Sequence, residues 1–213
     1  MPLTFKRVYG RGAVLAVWRM DETEGELERM ARPYGVDTSG FRSESRRKEK
    51  LCTAILVGEI TGTAHFTISH DSHGKPSLDL PNQNNNPYNI SISHTKGYAV
   101  VSVSKLETVA LDIEHRSDRV GRVARKFLRA DENPNGIGQT LACWCAKETA
   151  YKYFSGQQPA AADIRVCSMP PANGGCFRVE NIPAKAALQM CAVCGEDYLL
   201  VYACAEERTE GGR

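Results

Sequence analysis

The stretch VALDIEHR, residues 109 to 116, sets two acids on one side of an apparent strand. Successive strand side chains alternate faces, so Val109, Leu111 and Ile113 point one way while Ala110, Asp112 and Glu114 point the other. Carboxylates about 7 Å apart on one strand face repel unless water, a donor or a cation stands between them. A second group lies in TLACWCAKETAYKYF, where helical spacing makes Trp144, Glu148 and Lys152 successive i, i+4 neighbours with Lys147 beside them. Ala142, Cys145, Ala146, Thr149 and Tyr153 form the small apolar face that should turn inward. Either group alone describes an ordinary solvated surface.

Cationic and turn-forming residues recur between them. GKP spans Gly74 to Pro76, ISISHT carries Ser93 and His94, and the helix SESRRKEKLCTAILVG opens on the basic turn Arg46, Arg47, Lys48. After the acidic strand, RVGRVARKFLRADE is amphipathic. Val120, Val123, Ala124 and Phe127 share one face of a helix, and Arg122, Arg125, Lys126 and Arg129 form a cationic stripe opposite. Such a stripe is either a solvated face or a steering surface for an acidic partner.

The elements that must position these residues are legible from periodicity and breakers. GAVLAVWRM reads as a strand and ETEGELERMARPYG as a helix stopped by Gly35, while the basic helix ends at Gly58. AHFTISH is a strand, LPNQNNNPYN a loop, and NISISHTKGYAVVSVS two strands joined at Thr95-Lys96-Gly97. Beyond the helix that ends at Ser155-Gly156 the chain is mostly strands, two of them joined at Gly195-Glu196-Asp197, before a frayed tail, EERTEGGR. A seam near Lys105-Leu106-Glu107 divides the chain into halves 1–106 and 107–213, each holding helices and a few strands.

With 213 residues, 42% of them hydrophobic and 24% charged, the composition is that of an ordinary globular protein. No apolar run reaches the roughly 20 residues of a membrane span, and MPLTFKRVYGRG lacks the apolar core of a signal peptide, so a cytoplasmic location is expected. A net charge of +2 points to no nucleic-acid partner. In a reducing compartment the eight cysteines are expected to pack as small apolar thiols, since a lone C-x-x-C at Cys191 to Cys194 makes only half a zinc site. His65, His70 and His73 cluster without an acid or thiol to complete a ligand set.

In order along the chain, GKP, ISISHT, LDIE and WCAKETAYK resemble the motifs of the 4′-phosphopantetheinyl transferases of the larger, surfactin-type branch, whose pattern is G-K-P, I-S-H-S, G-x-D-I-E and W-x-x-K-E-A-x-x-K. The resemblance spans about residues 45 to 155. It implies an α+β fold in which two similar α/β halves form a pseudo-dimer within a monomer, with coenzyme A in the cleft between them. It also implies transfer of 4′-phosphopantetheine from coenzyme A to a serine of an apo acyl or peptidyl carrier protein, releasing 3′,5′-ADP. Asp112, Glu114 and Glu148 would then bind Mg²⁺, or Mn²⁺ in its place, and Glu148 would be the general base. Lys75, Pro76, Ser93, His94 and Lys152 would meet coenzyme A, and Arg46, Arg47 and Lys48 its 3′-phosphate. Magnesium's preference for carboxylate, phosphate and water oxygens agrees with that ligand set.

The chain departs from the pattern at Thr95 and Thr149, which replace a serine and an alanine, and at Thr53 and Ala54, where many relatives carry an arginine. Two other readings use the same residues: a Mg²⁺-dependent hydrolase of nucleotide pyrophosphates, and a non-catalytic module that binds carriers or coenzyme A.

Overall fold

Alternating side chains and glycine turns build the first unit. The computed structural model describes residues 2–81, 87–171 and 174–208. Leu3–Tyr9 (β1) pairs antiparallel with Ala13–Arg19 (β2) across a turn where Gly10 and Gly12 take positive φ. The strand β1 lies outside the sequence expectation, because its burial follows no strict alternation and three consecutive residues are exposed.

Thr23 opens the helix Glu24–Ala31 (α1) with a capping box: its hydroxyl accepts from the Glu26 N–H, and the Glu26 carboxylate accepts from the Thr23 N–H. The basic helix runs from Glu44 to Thr61 (α2) and so passes through Gly58, the expected stop. Gly62, at φ 70°, terminates it instead. Gly58 serves close packing: a Cβ there would lie 2.2 Å from the Tyr34 ring.

Thr67–His70 (β3), Pro76–Asp79 (β4), Tyr88–Thr95 (β5) and Tyr98–Ser104 (β6) complete a six-stranded antiparallel sheet in the order β1-β2-β6-β5-β4-β3. Residues 82–86 of the expected loop LPNQNNNPYN lie outside the described residues, and its last two residues, Tyr88 and Asn89, belong to β5. Leu51, Ile55 and Leu56 of α2 pack with Ala16, Ile90, Val101 and Leu78 of the sheet.

The second unit has its own sheet, in the order β7-β11-β10-β9-β8. Its strands are Leu111–His115 (β7), Ile164–Val166 (β8), Gly175–Asn181 (β9), Ala186–Cys194 (β10) and Tyr198–Arg208 (β11). The last two are joined through Gly195-Glu196-Asp197, the expected turn. The tail read as frayed from residue 206 is strand through Arg208, and its remaining residues lie outside the described ones.

The basic segment is not one helix. Arg119–Val123 (α3) is a short helix, followed by a single 3₁₀ turn over Ala124–Lys126. Val120 and Phe127 are buried as expected, but Val123 is exposed. Gly136–Tyr153 (α4) crosses the sheet, and its buried residues run almost all round the helix from Thr140 to Ala150, wider than the expected single face.

The chain therefore holds helices and two antiparallel sheets, an α+β protein, and separates into compact units Met1–Val109 and Ala110–Arg213. The boundary falls three residues beyond the expected 106/107 seam. Among the described residues no helix is long and apolar enough to cross a membrane. The expectation that all cysteines remain small apolar thiols needs correction. Cys176 and Cys191, directly opposite on β9 and β10, form a disulfide, because the register of the two strands sets them side by side.

Candidate functional site

The acids of β7 meet the polar side of α4. The strand is an edge strand, paired only with β11, and Asp112 and Glu114 stand opposite Val201 and Leu199. Those two belong to the core against which α4 packs, so both carboxylates project toward the helix. A charged pair is tolerable there because the sheet ends and solvent reaches its margin. Asp112 is nonetheless buried, while Glu114 and Glu148 are partly buried.

Each side chain is held by α4. Lys152 Nζ donates to Asp112 Oδ1 at 2.8 Å and to the Leu111 carbonyl at 2.9 Å. Trp144 Nε1 donates to Glu114 Oε1 at 2.9 Å, and its ring stands edge-on to Phe127 with centroids 5.1 Å apart. Trp144 and Lys152, eight residues and two turns apart, thus orient the two strand acids from one helix face, with Glu148 midway between them.

Burial raises the Glu114 carboxyl above its usual range, and the nearby Asp112 charge adds to it, against the Trp144 hydrogen bond and Lys152. Burial likewise raises Glu148, reinforced by Asp112 and Glu114 and opposed by Lys152. The three acids thus form one electrostatic group with a single lysine among them. They do not converge on a point: among the described residues the one trio of ligand side chains with donor atoms within 4.8 Å of one another is Cys176, Cys191 and Cys204.

This electrostatic load has a testable sign. An acid whose folded pKa is raised is stabilising when protonated, and that stability is lost as pH rises through the folded value. Glu148→Gln should therefore raise the thermal midpoint at pH 7.5 and confer little at pH 4, below the ordinary value of 4.5. Calorimetry at the two pH values checks this, and an equal decrease at both would contradict it.

Lys147, adjacent in sequence, points away from the acids. Its ammonium is buried, paired with Glu132 Oε2 at 3.0 Å, and donates to the carbonyls of Ala161 at 3.0 Å and Ile164 at 2.7 Å. Glu132, which sequence reasoning did not single out, accepts from Val166 N–H through Oε1 and from Arg129 N–H through Oε2. Only its position three residues after Arg129, where a carboxylate reaches back to a main-chain N–H, was a local signal.

The remaining expected residues lie in the first unit. His94 Nε2 is 2.9 Å from Thr53 Oγ1 on α2. The Thr53 hydroxyl gives its proton to the Glu49 carbonyl, so His94 Nε2 is the donor of the pair. Thr53 also lines a cavity of about 280 Å³ with Tyr34, Phe66 and Lys50. Ser93 is buried on β5 beside His94. Lys75 and Pro76 follow a turn in which Asp71 Oδ1 accepts from the N–H groups of His73 and Lys75 and Gly74 has φ 80°.

In the basic turn, Arg47 is engaged internally, doubly paired with Glu24 and donating to the carbonyls of Phe41 and Arg42. Lys48 reaches the Met20 carbonyl at 3.4 Å, and Arg46 is exposed with an ion pair to Glu49. In the cationic stripe, Arg122, Arg125 and Lys126 are exposed, whereas Arg129 bonds Asp131 and the Ala162 carbonyl.

Compared with known proteins, the chain matches no family model and no curated protein.

Proposed function

We propose that the chain is a 4′-phosphopantetheinyl transferase that moves the phosphopantetheine arm of coenzyme A onto a serine of an apo carrier protein. The observation that carries this reading is the group of Asp112, Glu114 and Glu148, three carboxylates from β7 and α4 around one lysine, in which burial and the Asp112 charge raise the proton affinities of Glu114 and Glu148. Such a group is costly to the fold unless a cation and phosphates are its occupants.

An oxygen-only donor set fits a hard cation such as Mg²⁺. Bound there by Asp112, Glu114 and Glu148, it would supply charge neutralisation on a diphosphate. Binding also asks the carboxylates to turn toward one another, since the three do not meet within 4.8 Å in the chain alone. Trp144 fixes Glu114 and leaves its second oxygen for a ligand. Lys152 supplies positive charge for the phosphates beside Asp112.

The carrier serine oxygen attacks the phosphorus that bears pantetheine, the bond to 3′,5′-ADP breaks, and Glu148 takes the serine proton. A carboxylate whose proton affinity is raised by burial is better matched to that role than an exposed one. Arg122, Arg125 and Lys126 form the exposed cationic surface for an acidic carrier. Lys75, Pro76, Ser93, His94, Arg46, Arg47 and Lys48 are assigned to coenzyme A by the resemblance alone, and Arg47 has the fewest donors to spare.

The finer fold assignment, a pseudo-dimer of like halves, belongs to the same proposal. It is supported by each unit's having an antiparallel sheet and one 18-residue helix packed on it.

Incubation with coenzyme A, Mg²⁺ and several apo carriers, followed by intact-mass measurement, tests the reading. The expected result is a carrier heavier by one phosphopantetheine, lost with chelator and restored by Mg²⁺ or Mn²⁺. Coenzyme A consumed at the same rate without a carrier would favour the hydrolase, and coenzyme A binding without turnover the non-catalytic module.

A further inference from the structure

The sheet of the second unit carries a separate cluster of three sulfurs. Cys176 on β9 and Cys191 on β10 are cross-strand partners, while Phe177 and Met190, their neighbours, face α4. Side chains alternate, so both cysteines lie on the face away from α4. On β11, Cys191 stands opposite Tyr202, and two residues further Cys204 returns to the same face. The register shifts there: Met190 pairs with Ala203 and Gln189 with Ala205, making Cys204 the extra residue of a β-bulge. Bulges re-aim side chains, and the three Sγ atoms lie within 4.8 Å of one another.

We infer that Cys176, Cys191 and Cys204 form a three-thiolate site for one thiophilic cation, Zn²⁺ being the one suited to it, available only when the Cys176–Cys191 bond is reduced. Thiolates select soft or borderline cations. Zn–S bonds of about 2.3 Å place sulfurs roughly 3.8 Å apart in a tetrahedral site, so closing the trio asks for shifts of about 1 Å or less. Cys176 is exposed, which leaves the fourth position to water. Cys204 stands outside the disulfide, its thiol donating to the Tyr202 carbonyl at 3.8 Å.

Opening the site converts one S–S bond into two thiols, with two electrons from a thiol, which becomes a disulfide and supplies the two protons, or from a phosphine, which becomes its oxide while water supplies the protons. Binding then exchanges three thiol protons for the cation. The oxidised chain keeps one thiol of the trio and no chelate. The site shares no residue with the acids of β7 and α4, so it stands or falls separately from the proposed transferase.

Anaerobic competition for Zn²⁺ against a chromophoric chelator, with the full chain reduced or oxidised, tests the inference. The reduced chain should bind one Zn²⁺, and the oxidised chain should bind at least about 100-fold more weakly. Outer-shell losses at metal sites already cost 10- to 100-fold, so Cys204→Ser, which removes a ligand, should weaken binding by about 100-fold or more. Cys167→Ser, at an exposed cysteine outside the trio, should leave it unchanged. In the unaltered reduced chain, Zn²⁺ should shield Cys176, Cys191 and Cys204 from alkylation, a readout that depends on no variant's folding. Equal affinity in the two redox states, no binding by the reduced chain, or shielding of other cysteines instead would overturn the site.

Discussion

Asp112→Asn and Glu148→Gln should each lower carrier modification by about 1000-fold or more, equivalent to roughly 4 kcal/mol of transition-state stabilisation. On the proposed reading each substitution keeps the side chain's shape while removing one of three negative oxygen ligands for Mg²⁺, and the second also removes the proton acceptor. The two variants should differ in stability, which separates chemistry from folding. Asp112→Asn takes away the counter-charge of Lys152, whose ammonium would then rest on a neutral amide oxygen and the Leu111 carbonyl. Glu148→Gln relieves a carboxylate that burial and two neighbouring acids already disfavour. A loss of transfer in both, with opposite shifts in thermal midpoint, is the expected pattern. Carrier mass spectrometry and calorimetry on the same samples measure it, and near-normal transfer by both variants at saturating Mg²⁺ would remove the acids from the reaction.

The acidic group was legible because strand and helix periodicities are local properties. Alternation alone put Asp112 and Glu114 on one face, and i, i+4 spacing put Trp144, Glu148 and Lys152 in a row. What links the two rows is tertiary: the edge position of β7 and the packing of α4 beside it, which no spacing reveals. Local chemistry misled where packing overrode it. Gly58 looks like a helix stop, yet it lies under the Tyr34 ring, and tertiary contact carries the helix on to Thr61. The stripe from Arg122 to Arg129 looks like one continuous face, yet the backbone tightens into a 3₁₀ turn and Arg129 is drawn to Asp131 and the Ala162 carbonyl. The Cys176–Cys191 pair depends on strand register across a hairpin and could not be read from a count of cysteines.

Glu132→Ala should destabilise the second unit by about 3–5 kcal/mol at pH 7, because it leaves a buried ammonium without its counter-charge. The side chains of Glu132 and Lys147 are 1% and 3% exposed. Glu132 also accepts from the N–H groups of Val166 and Arg129, so its loss opens the segment before α4 and the end of β8 together. Burial already holds the Lys147 ammonium below its ordinary proton affinity, against the pull of Glu132. Without the carboxylate it should fall further. A lysine whose folded pKa is depressed binds fewer protons folded than unfolded, so stability rises with pH through the window below its ordinary value of 10.5. The cost of Glu132→Ala should therefore shrink between pH 7 and about pH 9.5 as Lys147 sheds its proton. A simple loss of two main-chain hydrogen bonds would cost the same at both. Urea unfolding of the parent and variant at the two pH values distinguishes these cases. A cost below about 1 kcal/mol, or one independent of pH, would mean that solvent reaches the pair and that Lys147 is not the buried anchor between α4 and β8.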